Sequence, residues 1–191
     1  RENALKIAVC DDEKIFSEMM REVLEQYFRS LDVEIRTFSS GTALLREVKK
    51  DPYAYFCIFL DIEMPGLSGI QTAEELKKER ISVPVILLTS HEEYALRGYE
   101  VGAFRFLVKP VNLEKLYHAL EAAEKQKVLE QRLIVSQDGR EYYLPLNQIL
   151  YFKSENVYIV IYTETGHYLI RKKLKEQCKE LPELQFFQVH R

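Results

Sequence analysis

The sequence predicts an α/β chain: a five-stranded parallel sheet, doubly wound with helices on both faces, followed by a module built mainly of β-strands. Three observations predict it. Over the first 130 residues, continuous apolar runs alternate five times with amphipathic stretches, as parallel strands buried on both faces do. After residue 130 the runs become short and close-set, with hairpin residues between them. Composition shifts at the same place. Residues 1–130 carry 18 Lys+Arg against 23 Asp+Glu, whereas residues 131–191 carry 9 against 7 and hold 9 of the 22 Phe and Tyr residues. The expected division is a first domain over 1–126, its last helix running into a linker to about 130, and a second over 131–191.

Leu5 to Cys10 reads as the first strand, ending at Asp11-Asp12-Glu13. From Ile15 to Phe28, apolar residues recur in steps of three and four, which predicts an amphipathic helix. Val33 to Phe38 is a second strand. Ser40-Gly41 opens a second helix, which Asp51-Pro52 ends. Tyr55 to Leu60 is a third strand and delivers Asp61 into a turn at Pro65-Gly66, where Pro fixes φ and Gly accepts positive φ. Ser68-Gly69 opens a third helix. Val83 to Leu88 is a fourth strand ending at Thr89-Ser90, and a fourth helix is expected over Glu92 to Val101. Ala103 to Val108 is a fifth strand ending at Lys109-Pro110. Asn112 caps a long last helix reaching about Glu130.

In the second module, Leu133–Ser136, Glu141–Leu146, Ile149–Lys153, Val157–Tyr162 and His167–Arg171 read as short strands. Asp138-Gly139 and Thr165-Gly166 are expected hairpin turns. Lys172 to Leu181 is expected to form a short charged helix stopped by Pro182, and Phe186 to His190 to begin another strand.

The net charge of −3 gives no global pull toward nucleic acid. Cys10, Cys57 and Cys178 are odd in number and far apart, with neither a disulfide framework nor zinc spacing, which fits a reducing, cytoplasmic setting. No apolar run approaches the length of a membrane span, so no membrane partner is expected. Arg1 is not an initiator Met, which suggests a cropped N-terminus.

The residues at the carboxyl ends of the expected strands are Asp11, Asp12, Asp61, Thr89 and Lys109. Open α/β sheets bind ligands at that edge. Each residue alone has an ordinary reading, such as a helix cap for Asp11-Asp12 or a solvated side chain for Lys109. Together they offer three mutually repelling carboxylates, a hydroxyl and an ammonium on one rim. A hard divalent cation relieves such repulsion, and Mg²⁺ favours carboxylates, waters and phosphate oxygens. The chemistry is that of phosphoryl transfer with one carboxylate left as nucleophile.

With Asp11-Asp12, Asp61 followed by Met64-Pro65-Gly66 and Gly69, Thr89, and Lys109-Pro110, the chain resembles the receiver domain of two-component response regulators over residues 4–126. The resemblance implies a flavodoxin-like receiver in which Asp61 takes a phosphoryl group from a sensor histidine kinase. It also implies Mg²⁺ held by Asp12, Asp61 and the backbone carbonyl of Glu63, with Asp11 acting through a water. Lys109 would pair with the phosphoryl group and Thr89 would hydrogen-bond it. Phe106 and Tyr94 would be the switch aromatics, and phosphorylation would favour a homodimer.

Residues 131–191 resemble the front part of a LytTR-type DNA-binding domain, through Ile149 to Tyr158, Leu169 to Leu174, and Phe186 through Val189-His190-Arg191. The resemblance implies promoter DNA as partner and an expected C-terminal remainder beyond residue 191. Candidate contacts are Lys153, Ser154, Glu155 and Asn156, placed in the loop after this module's third strand, and a basic cluster at Arg171, Lys172 and Lys173. Two further readings remain open. One is an aspartyl-phosphate phosphohydrolase with Glu63, two residues after the nucleophile, as proton donor. The other is a phospho-switched module whose second part binds protein.

Overall fold

The computed structural model describes residues 4–52, 54–94, 100–181 and 186. The chain divides into two compact units, Arg1–Ala123 and Glu124–Arg191. In the first unit the strands are β1 (Leu5–Cys10), β2 (Val33–Phe38), β3 (Tyr55–Asp61), β4 (Val85–Thr89) and β5 (Arg105–Val108). They form one sheet in the order β2-β1-β3-β4-β5 with every pair parallel. The helices are α1 (Lys14–Tyr27), α2 (Gly41–Val48), α3 (Gly69–Lys78) and α4 (Leu113–Glu130). The last of these runs across the division between units.

Alternation along the strands splits the core in two, because successive side chains leave a strand on opposite faces. Ala8, Cys10, Ile58, Leu60 and Leu87 pack with Leu44, Val48, Ala73 and Leu76 of α2 and α3. Ile7, Val9, Phe59, Ile86 and Leu88 pack with Met20 and Leu24 of α1 and Leu116, Leu120 and Ala123 of α4. All seven residues of β3 are buried, as a central strand covered on both sides requires.

The element edges shift modestly. Strand β4 begins at Val85, and the Pro84 carbonyl accepts from the Ile58 N–H at 2.9 Å. Asn112 caps α4 as expected, its side-chain oxygen accepting from the Lys115 N–H at 3.0 Å. The expected fourth helix lies in part outside the described residues. Glu92–Tyr94 form a single 3-10 turn, and residues 95–99 are not described.

The second unit contains β6 (Arg132–Gln137) paired antiparallel with β7 (Arg140–Pro145), and a three-stranded antiparallel sheet in the order β10-β9-β8. These last strands are β8 (Ile149–Glu155), β9 (Tyr158–Thr163) and β10 (Gly166–Ile170). Asp138 and Gly139 both take positive φ, 53° and 71°, as a two-residue type I′ turn demands. The other expected turn is displaced by one residue. Gly166 pairs with Thr163, so the chain reverses through Glu164-Thr165. The charged stretch that follows forms a shorter helix than expected, α5 (Leu174–Cys178). The strand expected over Phe186 to His190 lies outside the described residues except for Phe186, whose ring meets that of Phe152 edge-on at 5.4 Å.

The core of this unit is Val135, Leu144, Leu146, Ile149, Ile159, Ile161 and Leu181. Gln177 on α5 is 1% exposed, and its amide nitrogen has no hydrogen-bond partner among the described residues. A buried donor without an acceptor costs about 1–3 kcal/mol. Gln177→Leu, similar in size, is therefore expected to stabilise the protein by about 1 kcal/mol. Urea unfolding of both proteins measures this, and equal or lower stability of the variant would contradict it.

Candidate functional site

Strand register brings to one rim the last residues of β3 and β4 and the first residues past β1 and β5. Cys10 lies opposite Leu60, so Asp11 falls beside Asp61. Asp61 lies opposite Leu88, and Thr89 follows. Thr89 lies opposite Val108, and Lys109 follows. The neighbouring strands β1 and β3 carry the chain to opposite sides of the sheet, which is the switch point where such folds open a crevice.

Asp61 is fixed from behind by its own backbone. The Ile62 N–H donates to the Leu88 carbonyl at 2.9 Å, continuing the sheet one residue past the aspartate. Gly66 turns the chain at φ 79°. Ser68 then caps α3 in a reciprocal box with Gln71. The Gly69 N–H donates to the Ile62 carbonyl at 3.0 Å. A Cβ on Gly69 would stand 2.1 Å from the Asp61 carbonyl oxygen, so only glycine lets α3 start this close.

Asp11 and Asp61 are nearly inaccessible, at 2% and 4% exposure, whereas Asp12 is exposed. One oxygen from each of the three lies within 4.8 Å of the others. Lys109 lies among them. Its Nζ donates to Asp11 Oδ2 at 2.7 Å and lies 3.2 Å from Asp61 Oδ1 and 3.8 Å from Glu13 Oε1. The ammonium also sits 4.1 Å from the centre of the Phe16 ring. The other oxygen of Asp11 accepts from the Glu13 N–H at 2.8 Å. The Lys109–Pro110 peptide is cis.

Burial pushes the Asp61 carboxyl up to about 6, and the charge of Asp11 adds to this; Lys109 opposes both, and Asp12 adds a smaller push upward. Burial alone would lower Lys109, but its hydrogen bond to Asp11 and the charges of Asp61 and Asp11 outweigh that and hold it above its ordinary value. Burial, aided by the same three aspartates, pushes the Cys10 thiol to about 12, so it behaves as an apolar core residue. Three carboxylates against one ammonium leave an excess of negative charge in a small, partly dry volume. That donor set fits a hard divalent cation.

Thr89 is fully buried, and its Oγ1 accepts from the His91 N–H at 3.1 Å. The Glu63 side chain is exposed and lies 3.6 Å from His91 Nε2. Phe106 on β5 and Tyr94 are half-buried, and each packs against the core on the α2–α3 side of the sheet. Tyr94 falls in the 3-10 turn, with its ring edge-on to His91.

In the second unit, Lys153, Ser154 and Glu155 lie on β8 and not in a loop, contrary to expectation. Asn156 takes φ 57°, so the chain reverses in the two residues Asn156-Val157 and the strand runs on to Glu155. All three are exposed, and Lys153 pairs with Glu155 at 2.8 Å. Arg171 and Lys173 are exposed between β10 and α5, while Lys172 pairs with Glu180.

Two contributors were not singled out from the sequence. Phe16 reads there as one apolar position of an amphipathic helix, and Glu13 as part of an acidic run. Their place in the first turn after Asp11-Asp12 is the signal that could have marked them.

The family of response regulator receiver domains matches residues 7–121, and the LytTr DNA-binding domain matches residues 139–191. The positive alginate biosynthesis regulatory protein of Pseudomonas aeruginosa is 27% identical over 98% of this chain and 80% of its own length. The sensory transduction protein LytT of Bacillus subtilis is 23% identical over 98% of this chain and 80% of its own. Among solved structures, a response regulator receiver domain protein from Clostridium thermocellum is 33% identical, with a TM-score of 0.58, and covers 65% of this chain and 98% of its own. The combination is that of a regulator and not of a classical enzyme. The chain belongs to the response regulator receiver family and carries a LytTR DNA-binding domain after its receiver, which makes it a two-component response regulator controlling transcription.

Proposed function

We propose that Asp61 is the phosphoacceptor and that its phosphorylation switches the DNA binding of the second domain. The observation that carries this reading is one buried carboxylate, at the end of the central strand, held 3.2 Å from a largely buried ammonium and beside two more carboxylates. An Asp61 oxygen attacks the phosphorus of a kinase phosphohistidine, the new P–O bond forms, the P–N bond breaks, and the imidazole leaves with its electron pair. Asp12, Asp61, the Glu63 backbone carbonyl and, through a water, Asp11 would hold Mg²⁺. When bound, Mg²⁺ supplies positive charge to the equatorial phosphoryl oxygens.

Lys109 neutralises the same oxygens from the other source of charge in the site. Thr89, whose hydroxyl proton is not engaged by the His91 N–H, donates to the phosphoryl group once it is formed. Its shift repacks Phe106 and Tyr94 by contact alone, since Phe106 has no hydroxyl, and the altered face favours a homodimer. The receiver would comprise 1–126 and the DNA-binding domain 131–191. Glu63, the acid a phosphohydrolase would need, is exposed and engaged near His91, which favours the receiver reading.

Promoter DNA would be met by Arg171 and Lys173, with Lys172, Lys153, Ser154, Glu155 and Asn156 as further contacts. Lys172 and Lys153 already have acidic partners. Arg171→Ala and Lys173→Ala are each expected to flatten the salt dependence of DNA affinity by about 0.9 in log–log slope, one phosphate contact each. Fluorescence anisotropy at several salt concentrations measures this, and unchanged slopes for both would remove these residues from the interface.

The direct test of the switch is DNA affinity of the protein with and without a small acyl phosphate and Mg²⁺. Phosphorylation is expected to change that affinity. If Asp61 is phosphorylated and neither affinity nor oligomeric state moves, the switch is wrong.

A further inference from the structure

We propose that Phe16 is a positioning residue: the face of its ring seats the Lys109 ammonium beside Asp61 and so sets the rate of phosphoryl uptake. This rests on the reading of Asp61 as phosphoacceptor. Lys109 is a long side chain with three N–H donors and only 11% exposure. Asp11 takes one donor at 2.7 Å, and Asp61 lies 3.2 Å away. A third neighbour is the Phe16 ring, 4.1 Å from the nitrogen, inside the range where a ring quadrupole attracts a cation. That attraction strengthens when the cation is poorly hydrated, as it is here.

The chemistry of the seat matters. A third close carboxylate would hold Lys109 more strongly, but it would compete with the oxygens of an incoming phosphoryl group and repel them. An aromatic face holds the ammonium without adding charge, so Lys109 keeps its positive charge available to the anion. Glu13 comes nearest to such a competitor, at 3.8 Å and largely exposed, where solvent weakens it.

The ring is also fixed relative to the acids. Asp11 Oδ1 accepts the Glu13 N–H at 2.8 Å, the Ser17 hydroxyl reaches the Asp11 carbonyl at 3.4 Å, and the Ser17 N–H closes on the Glu13 carbonyl at 3.1 Å. The first turn of α1, which carries Phe16, is therefore tied to Asp11. Phe16 is only half-buried against the α1–α4 core. Burial in that core accounts for part of the ring and leaves its contact with Lys109 as a separate interaction.

The test uses the full chain with acetyl phosphate and saturating Mg²⁺. Phe16→Leu keeps an apolar side chain and removes the ring; Phe16→Tyr keeps the ring. The leucine variant is expected to take up phosphate about 3–10-fold more slowly, the rate equivalent of a partly desolvated cation–π contact, and the tyrosine variant to stay within about twofold of the parent. Thermal midpoints supply a readout independent of phosphorylation. Phe16→Leu is expected to lower the midpoint by about 2–4 °C more with Lys109 present than in a Lys109→Met background. Equal midpoint losses in both backgrounds, or equal uptake rates for the leucine and tyrosine variants, would overturn the proposal. If the parent takes up no phosphate at Asp61, the phosphoacceptor reading fails, and the midpoint comparison still decides whether Phe16 seats Lys109.

Discussion

Asp61→Asn is expected to abolish phosphoryl uptake at that position and, in the absence of metal, to make the protein more stable at neutral pH. The second effect follows from electrostatics. Asp61 is 4% exposed, and its carboxyl is raised from 3.8 to about 6 in the folded state. A carboxyl whose folded pKa is raised contributes stability that is fully present below its unfolded pKa. That contribution is lost as pH rises through the folded value. The unprotonated acid at pH 7 therefore costs the fold up to about 3 kcal/mol, since each pKa unit is worth about 1.4 kcal/mol. Asn removes the charge and keeps an oxygen that can accept from Lys109.

The expected gain at pH 7 without metal is about 1–3 kcal/mol, shrinking toward zero as pH falls from about 6 to 4. Urea unfolding at two pH values measures it. Adding Mg²⁺ is expected to stabilise the parent more than the variant, because a ligand is missing from the latter. A variant less stable than the parent at pH 7 without metal would mean that Lys109 overcompensates the buried acids.

Gly69→Ala is expected to be among the most damaging single changes in the receiver. The added Cβ would lie 2.1 Å from the Asp61 carbonyl oxygen and 2.8 Å from both the Asp61 carbonyl carbon and the Ile62 Cα. These are backbone atoms of the site itself, so no rotamer change relieves the clash. Overpacking in a close-packed interior costs about 1–3 kcal/mol and more where the backbone must move. About 3 kcal/mol is expected, with phosphoryl uptake slowed even in the folded fraction because Asp61 is displaced. Gly66 is the control. It has φ 79° and open space where a Cβ would stand, so Gly66→Ala is expected to cost only the left-handed backbone penalty of about 1–2 kcal/mol. Unfolding both variants compares them, and equal losses would contradict the close contact of Gly69 with the Asp61 backbone.

Much of the receiver was legible because its signals are local. A parallel strand buried on both faces needs a continuous apolar run, and Tyr55 to Leu60 is such a run with every residue buried. Chain order and a parallel register then place Asp11, Asp61, Thr89 and Lys109 at one end of the sheet. Contacts between distant elements were less legible. Gly69 is visible as a glycine, but its closeness to the Asp61 carbonyl depends on how the turn at Gly66 folds back. Phe16 has the spacing of a core residue, and nothing in the sequence shows which cation its ring faces. In the second unit, Lys153-Ser154-Glu155 has the polarity of a loop because β8 exposes these residues. The left-handed φ at Asn156, which allows the tight reversal, is a conformational choice that composition does not display.

Location of the phosphoryl group tests the central claim most directly. The protein is incubated with acetyl phosphate, with and without Mg²⁺, trapped by borohydride reduction, digested, and mapped by mass spectrometry. The expected result is a single Mg²⁺-dependent label on the peptide containing Asp61, absent in Asp61→Asn. A label elsewhere, or one that persists in the Asn variant, would contradict the assignment of Asp61 as phosphoacceptor.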